Sequence, residues 1–156
     1  MSIFGLDRVF KPSKIAIVGG SPRPSSLGLI ILLNIVNGGF AGDIAVVNPR
    51  HASIGGRRTY YDLKAVPFVP DLVVITAPAS TITDIVATAG QRGVAGVVII
   101  SSGLGRGAGS TTEAIAQTAR AHNIRIVGPN SLGIMFPASV SMRALRRAIP
   151  RRARWP

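Results

Sequence analysis

Residues 14–20 read KIAIVGG, a short apolar run that ends on two glycines. Similar runs, mostly of β-branched residues, recur along the chain at 44–47, 72–76, 94–100 and 124–127. Because these runs show little alternation between apolar and polar residues, they are typical of strands buried on both faces of a parallel sheet. Intervening segments of helical length indicate βαβ units with right-handed crossovers.

Three helices are predicted between the strands, at 26–37, 80–92 and 110–122. Ser80 or Thr81 is expected to cap the second helix, and Ser110 or Thr112 the third. The apolar start of the first helix is far shorter than the about 20 residues of a membrane span, so a buried helix is predicted there. The whole pattern predicts an α/β fold, a Rossmann-like doubly wound parallel sheet in a single domain.

The composition excludes several classes of site. The chain of 156 residues has no cysteine, which rules out a disulfide framework, a thiol nucleophile and a cysteine-ligated zinc site. Its two histidines, His51 and His122, are far apart in sequence, so no metal site is predicted. His51 is interpreted as a surface-loop residue, and His122 as a helix-end residue whose positive charge would complement the helix dipole.

The net charge of +12 is divided between two parts of the chain. Residues 143–156, RALRRAIPRRARWP, hold six arginines and no acidic residue, so they supply half of it. This composition predicts a basic, disordered tail after a domain of residues 1–142. Arg57 and Arg58 are interpreted as solvated turn residues. Neither specific nucleic-acid binding nor a membrane location is predicted, and the chain is expected to be cytoplasmic.

The predicted strands end in small, polar or turn-forming residues. The segments concerned are Gly19–Ser21, Asn48–Arg50, Thr76–Pro78, Ser101–Gly103 and Gly128–Asn130. In an open α/β sheet, ligands bind beyond the carboxyl ends of the strands, so these segments mark the expected site. The helix N-terminus after the first segment offers free amides and a positive dipole to a phosphate group.

Two features of these strand ends bear on the choice of nucleotide. The first turn, GGSPRPSSLG, lacks the G-x-G-x-x-G spacing of NAD-binding sheets. The second strand ends in Asn48-Pro49-Arg50, without the acidic residue that holds the ribose of NAD. An arginine there suits a phosphate, as in NADP or coenzyme A. An NAD(P)-binding domain of an oxidoreductase or redox sensor therefore stays open as the alternative.

Five motifs, in order along the chain, carry a resemblance to a known family. They are FKPSKIAIVGGS (10–21), NGGFAGDIAVVNPRH (37–51), VPDLVVITAPA (69–79), SSGLGRG (101–107) and GPNSLGI (128–134). From Val9 to Met142 the chain resembles the N-terminal CoA-binding domain of NDP-forming acyl-CoA synthetases, and it is similar to the α subunit of succinyl-CoA synthetase. The resemblance implies coenzyme A as the cofactor. It also implies CoA or acyl-CoA, with a ligase or ATP-grasp subunit, as partners.

The resemblance further implies which residues contact CoA. The turn around pyrophosphate and pantetheine would consist of Gly20, Ser21, Arg23, Ser25 and Ser26. After the second strand the implied contacts are Asn48 and Arg50, with Arg50 on a CoA phosphate. The remaining walls would be formed by Ala77, Pro78, Ile100, Ser101, Ser102, Gly103 and Asn130.

Complete enzymes of this family convert an acid, CoA and a nucleoside triphosphate into acyl-CoA, the diphosphate and phosphate. Their phosphohistidine lies in a following domain, and neither histidine of this chain matches it, so the chain alone is not expected to be catalytic. Two residues depart from the family pattern: Arg106 stands where an acidic residue is usual, and Ser131 where a cysteine is usual. Arg106 either binds an anion in a backbone nest or has no role.

Overall fold

The computed structural model describes residues 5–129 and 131. Seven strands form one sheet in the order β3-β4-β2-β1-β5-β6-β7. The strands are β1 Lys14–Val18, β2 Asp43–Val47, β3 Ser53–Ile54, β4 Arg57–Tyr60, β5 Leu72–Ile75, β6 Gly96–Ile99 and β7 Arg125–Val127. The helices are α1 Leu6–Phe10, α2 Leu27–Asn37, α3 Ala79–Gln91 and α4 Thr111–Ala121, with a 3₁₀ helix at Leu63–Ala65. All pairings are parallel except β3 with β4, so the predicted Rossmann-like sheet is confirmed.

Two hydrophobic cores lie on opposite faces of the sheet, because successive strand residues point to opposite sides. On one face, Ala16 and Val18 of β1 share a core with buried residues of α3 and α4. On the other face, Ile15 and Ile17 share a core with α1 and α2. Each central strand is therefore apolar throughout, which explains the runs seen in the sequence.

Helix α2 is buried on one side only, so the prediction of a buried helix is wrong for its outer side. Gly28, Leu29 and Leu32 are buried, and the two leucines pack in the core on the sheet. Leu27 is 55% exposed, and Leu33 is exposed as well. The reason is that α2 forms an outer layer, and only one face of a helix in such a layer meets the sheet. None of the helices in the described part of the chain is both long and apolar enough to cross a membrane.

Two local predictions are corrected by the structure. Helix α3 begins one residue before Ser80, with Pro78 at the N-cap. Thr81 does not cap it, because its hydroxyl donates to the carbonyl oxygen of Pro78 at 2.8 Å. Arg57 and Arg58 are exposed as expected, but they lie in strand β4 and not in a turn. The turn is the Gly-Gly pair before them, whose positive φ values suit a two-residue hairpin loop.

The third helix prediction holds, since Ser110 is the N-cap of α4. Its hydroxyl accepts a hydrogen bond from the amide of Glu113 at 3.2 Å. His122 is the C-cap residue of the same helix, as the sequence predicted.

Asp71 joins three elements at the amino-terminal edge of the sheet. It is 8% exposed, and its Oδ1 accepts from Arg8 Nε of α1 at 2.7 Å. Its Oδ2 accepts from the amide and hydroxyl of Ser13, at 2.9 and 2.8 Å, and from the amide of Lys14 at 3.1 Å. Burial alone would raise the pKa of Asp71, but the hydrogen bonds from Arg8, Ser13 and Lys14 outweigh it and lower the pKa below its ordinary value.

Candidate functional site

A cavity of about 570 Å³ opens at the carboxyl ends of β1, β2 and β5. Its volume falls in the range of small-molecule sites, about 300–1,000 Å³. Half of the residues predicted from the sequence line it, namely Gly20, Ser21, Arg23, Asn48, Arg50, Ala77 and Pro78. The structure therefore brings together residues from three separate turns at the edge where a ligand was expected.

The first turn packs directly against the start of α2. Gly20 has φ of +98°, a conformation that side chains disfavour. A Cβ atom added to Gly28 would lie 2.6 Å from the Cα of Gly20, so neither position has room for a side chain. This close approach places the first turn of α2 immediately behind the cavity-lining residues Gly20 and Ser21.

The serines after this turn shape it and do not line the cavity. Ser26 occupies the N-cap position of α2, yet its hydroxyl accepts from the amide of Ser21 at 2.8 Å. No side chain caps α2, so its first amides keep their donor capacity. Ser25 is exposed and also lies outside the cavity lining.

Asn48 links the turns after β1 and β2. Its Nδ2 donates to the carbonyl oxygen of Gly20 at 2.6 Å. Its Oδ1 accepts from the amide of Arg50 at 2.7 Å and from that of His51 at 3.1 Å. The sequence predicted Asn48 as a ligand contact; in the structure it also fixes the backbone that carries Arg50.

The wall formed by β5 and α3 is only partly the one predicted. Ala77 and Pro78 line the cavity, while Ile100, Ser101, Ser102 and Gly103 do not. Ser101 still touches this wall, because its hydroxyl donates to the carbonyl oxygen of Ala77 at 2.6 Å. Asn130 lies outside the described residues. The sequence did not predict the lining residues on α3, which are Thr81, Asp84, Ile85 and Thr88.

The segment after β4 forms a third wall, which was not predicted from the sequence either. Tyr61, Asp62, Leu63 and Lys64 line it. No local motif marks them, because they reach the site through the pairing of β4 with β2. His51 lines the cavity beside them, and its carbonyl oxygen accepts from the hydroxyl of Thr59.

Arg92, at the C-cap of α3, binds the end of this wall and the residues that follow it. Its Nη1 donates to the carbonyl oxygens of Leu63 and Lys64 at 2.7 and 2.6 Å. Its Nη2 donates to those of Val66 and Phe68 at 2.8 and 2.7 Å. The guanidinium therefore fixes the segment after β4 against α3.

Cations from the turns after β1 and β2 and from the segment after β4 stand around the cavity. Arg23, Arg50 and Lys64 line it and are exposed, together with the acidic residues Asp62 and Asp84. Of these acids, Asp62 is engaged locally, since its Oδ1 accepts from the amide of Ala65 at 2.8 Å. Exposed cations on separate loops suit a ligand with several phosphate groups.

A protein-family model described as a CoA binding domain matches residues 13–137. The chain belongs to this family of CoA-binding domains. The cofactor predicted from the sequence, coenzyme A, is therefore confirmed, and the NAD(P)-binding alternative is not favoured. The matched region contains all three cavity-lining turns.

Relatives of this CoA-binding domain include two acetate–CoA ligases. It is 33% identical over 144 residues to the α subunit of ADP-forming acetate–CoA ligase I of Pyrococcus furiosus, covering 87% of this chain and 31% of the relative. It is 31% identical over 153 residues to the ADP-forming acetate–CoA ligase I of Archaeoglobus fulgidus, covering 96% of this chain and 22% of the relative. The chain thus spans less than a third of the length of either ligase.

The fold of the CoA-binding domain also matches a solved enzyme structure. The apo form of the dinucleotide-forming acetyl-coenzyme A synthetase 1 of Candidatus Korarchaeum cryptofilum superposes with a TM-score of 0.79 at 32% identity. The match covers 89% of this chain and 30% of that one. The resemblance inferred from the five sequence motifs is therefore confirmed.

Proposed function

We propose that this domain binds CoA across the carboxyl edge of its sheet, with the pyrophosphate at Gly20, Ser21 and the start of α2. Arg50 then holds the 3′-phosphate of CoA, and Arg23 flanks the pyrophosphate. The observation that carries the proposal is the Asn48 bridge, which joins the turn that would bind pyrophosphate to the turn that carries Arg50. A helix N-terminus without a side-chain cap offers amides and a positive dipole to the same anion.

The pantetheine arm is proposed to run from this turn past Ala77 and Pro78 toward the ends of β6 and β7. The far end of the arm would meet residues 100–103 and Asn130. This placement would explain why residues 100–103 lie outside the cavity itself. Ser25 and Ser26 would act on the ligand through the shape of the turn, since Ser26 accepts from the amide of Ser21.

The domain is proposed to serve as the CoA-binding part of an NDP-forming acyl-CoA ligase. Two of its relatives bear the names of ADP-forming acetate–CoA ligases, and the chain spans only part of each. The complete reaction would convert an acid, CoA and a nucleoside triphosphate into acyl-CoA, diphosphate and phosphate. A ligase or ATP-grasp subunit would be the partner, a cytoplasmic location would supply the nucleotides, and residues 143–156 would take no part in the CoA site.

Calorimetric titration of the full chain with CoA, dephospho-CoA and NADP⁺ tests the binding proposal. We expect CoA to saturate one site, dephospho-CoA to bind more weakly because it lacks the 3′-phosphate, and NADP⁺ to show no saturable heat. Equal affinity for CoA and NADP⁺ would contradict the proposal. A second assay supplies acetate, ATP and CoA to the chain alone, and acetyl-CoA formation there would contradict its role as a binding part only.

A further inference from the structure

Tyr61 presents an aromatic ring at the edge of the cavity. It lines the cavity and is 73% exposed. Tyr60, its neighbour in β4, pairs with Val47 of β2, and its carbonyl oxygen accepts from the amide of Asn48 at 2.9 Å. Tyr61 therefore follows β4 at the same level of the sheet at which Asn48 follows β2. Arg50 comes two residues after Asn48.

The exposure of Tyr61 does not come from a loose loop. The next residue, Asp62, caps the 3₁₀ helix at 63–65 by accepting from the amide of Ala65 at 2.8 Å. Leu63 is buried in the core, and Arg92 binds its carbonyl oxygen at 2.7 Å. The backbone that follows Tyr61 is thus held in place, and the ring is positioned beside the cavity before any ligand arrives.

An aromatic face beside phosphate-binding cations suits a ligand that carries both a base and phosphates. The proposed function places a CoA phosphate on Arg50, and in CoA the 3′-phosphate and the adenine are attached to the same ribose. A ligand held at Arg50 by this phosphate therefore brings its base within reach of neighbouring side chains. Among the described residues that line the cavity, only Tyr61 and His51 carry aromatic rings, and Tyr61 is much the more exposed.

We propose that Tyr61 is a specificity-determining residue whose ring stacks on the adenine of CoA. This inference rests on the proposed function and adds the contact that recognises the base. Stacking of a base on an aromatic side chain is lost on substitution by alanine, and the affinity then falls about five- to 150-fold. Phenylalanine keeps the aromatic face, so Tyr61→Phe retains most of the affinity.

The test is calorimetric titration of the full chain with three ligands. CoA carries the base and the pantetheine arm, adenosine 3′,5′-bisphosphate carries only the base half, and 4′-phosphopantetheine carries only the arm. Tyr61→Ala should weaken CoA and the bisphosphate by the same factor and leave 4′-phosphopantetheine unchanged. Val69→Ala, which shortens an exposed apolar side chain outside the cavity lining, is the matched control and should change none of the three affinities.

Two outcomes would overturn this inference alone. In the first, Tyr61→Ala binds CoA and the bisphosphate as tightly as the unaltered chain. In the second, it loses affinity for all three ligands equally at an unchanged Tm, which would indicate a general effect on the site. If the unaltered chain fails to bind CoA, the proposed function itself fails and the adenine contact fails with it.

Discussion

The side-chain amide of Asn48 donates to the carbonyl oxygen of Gly20 at 2.6 Å. Through its Oδ1 the same side chain accepts from the amide of Arg50 at 2.7 Å. NAD-binding sheets place an acidic residue at the end of the second strand, where it holds ribose hydroxyls. Here an amide occupies that place, and its donor side is turned to the backbone of the first turn. This polarity is what an aspartate cannot reproduce.

Asn48→Asp should therefore disrupt the site without creating an NAD site. A carboxylate in this position would face the carbonyl oxygen of Gly20 without a proton to donate. We expect a loss of about 1–3 kcal/mol in the free energy of unfolding, measured by urea denaturation, and a weaker affinity for CoA. Asn37→Asp, at an exposed end of α2, is the control and should cost less than about 1 kcal/mol. Saturable NAD binding by Asn48→Asp would contradict this expectation.

Gly28→Ala should destabilise the protein, against the usual trend for helices. Alanine in place of glycine in a helix interior normally adds up to about 1 kcal/mol of stability. In α2 the new Cβ would lie 2.6 Å from the Cα of Gly20, so the turn or the helix must move. Overpacking of this kind costs about 1–3 kcal/mol, and CoA affinity should fall with it. A variant with a higher Tm than the unaltered chain would refute the close packing of the two segments.

Arg92→Met should loosen the segment after β4. The substitution removes a guanidinium that binds four carbonyl oxygens, between Leu63 and Phe68. We expect a loss of about 2–3 kcal/mol in the free energy of unfolding, together with new protease cleavage within residues 61–68. Arg92→Lys keeps the charge but not the planar fork of donors, so its free energy of unfolding should lie between those of Arg92→Met and the unaltered chain. Protease resistance in Arg92→Met equal to that of the unaltered chain would rule out the holding role.

Asp71 should make stability depend on acid pH. Because its pKa in the folded chain is lowered, its contribution is fully present above its unfolded pKa and is lost as pH falls through its folded pKa. Asp71→Asn should cost about 2 kcal/mol at neutral pH, and the difference from the unaltered chain should shrink below pH about 4. Asp43→Asn, which alters an exposed side chain, should have a free energy of unfolding within about 0.5 kcal/mol of the unaltered chain at every pH. An Asp71→Asn deficit that is independent of pH would contradict the shift.

The sheet could be predicted from the sequence because its signals are local. Apolar runs such as 14–18 specify strands buried on both faces, and the glycines after them specify turns. The hairpin of β3 and β4 could not be predicted because its strands have only two and four residues, too few to show a periodic pattern, and Arg57 and Arg58 are both exposed. Short edge strands depend on pairing with a neighbour, which the sequence does not display.

The candidate site could be predicted only where it follows the strand ends. Gly20, Asn48 and Ala77 come within two residues of the ends of core strands, so their position at one edge follows from the parallel sheet. Tyr61 reaches the cavity through the pairing of β4 with β2, and Arg92 binds the carbonyl oxygen of the nearby Leu63 from the far end of α3. Such long-range contacts are set by packing and have no local sequence signature.

The central claim is that CoA binds at the carboxyl edge of the sheet with a phosphate on Arg50. Calorimetric titration of Arg50→Ala with CoA tests it most directly, with Arg57→Ala as a control that removes another exposed arginine, which lies outside the cavity. Loss of hydrogen bonds to a charged group is worth about 1.5–3 kcal/mol, so Arg50→Ala should weaken CoA about ten- to 150-fold while Arg57→Ala binds as the unaltered chain. Equal affinities for the two variants, or no saturable binding by the unaltered chain, would contradict the claim.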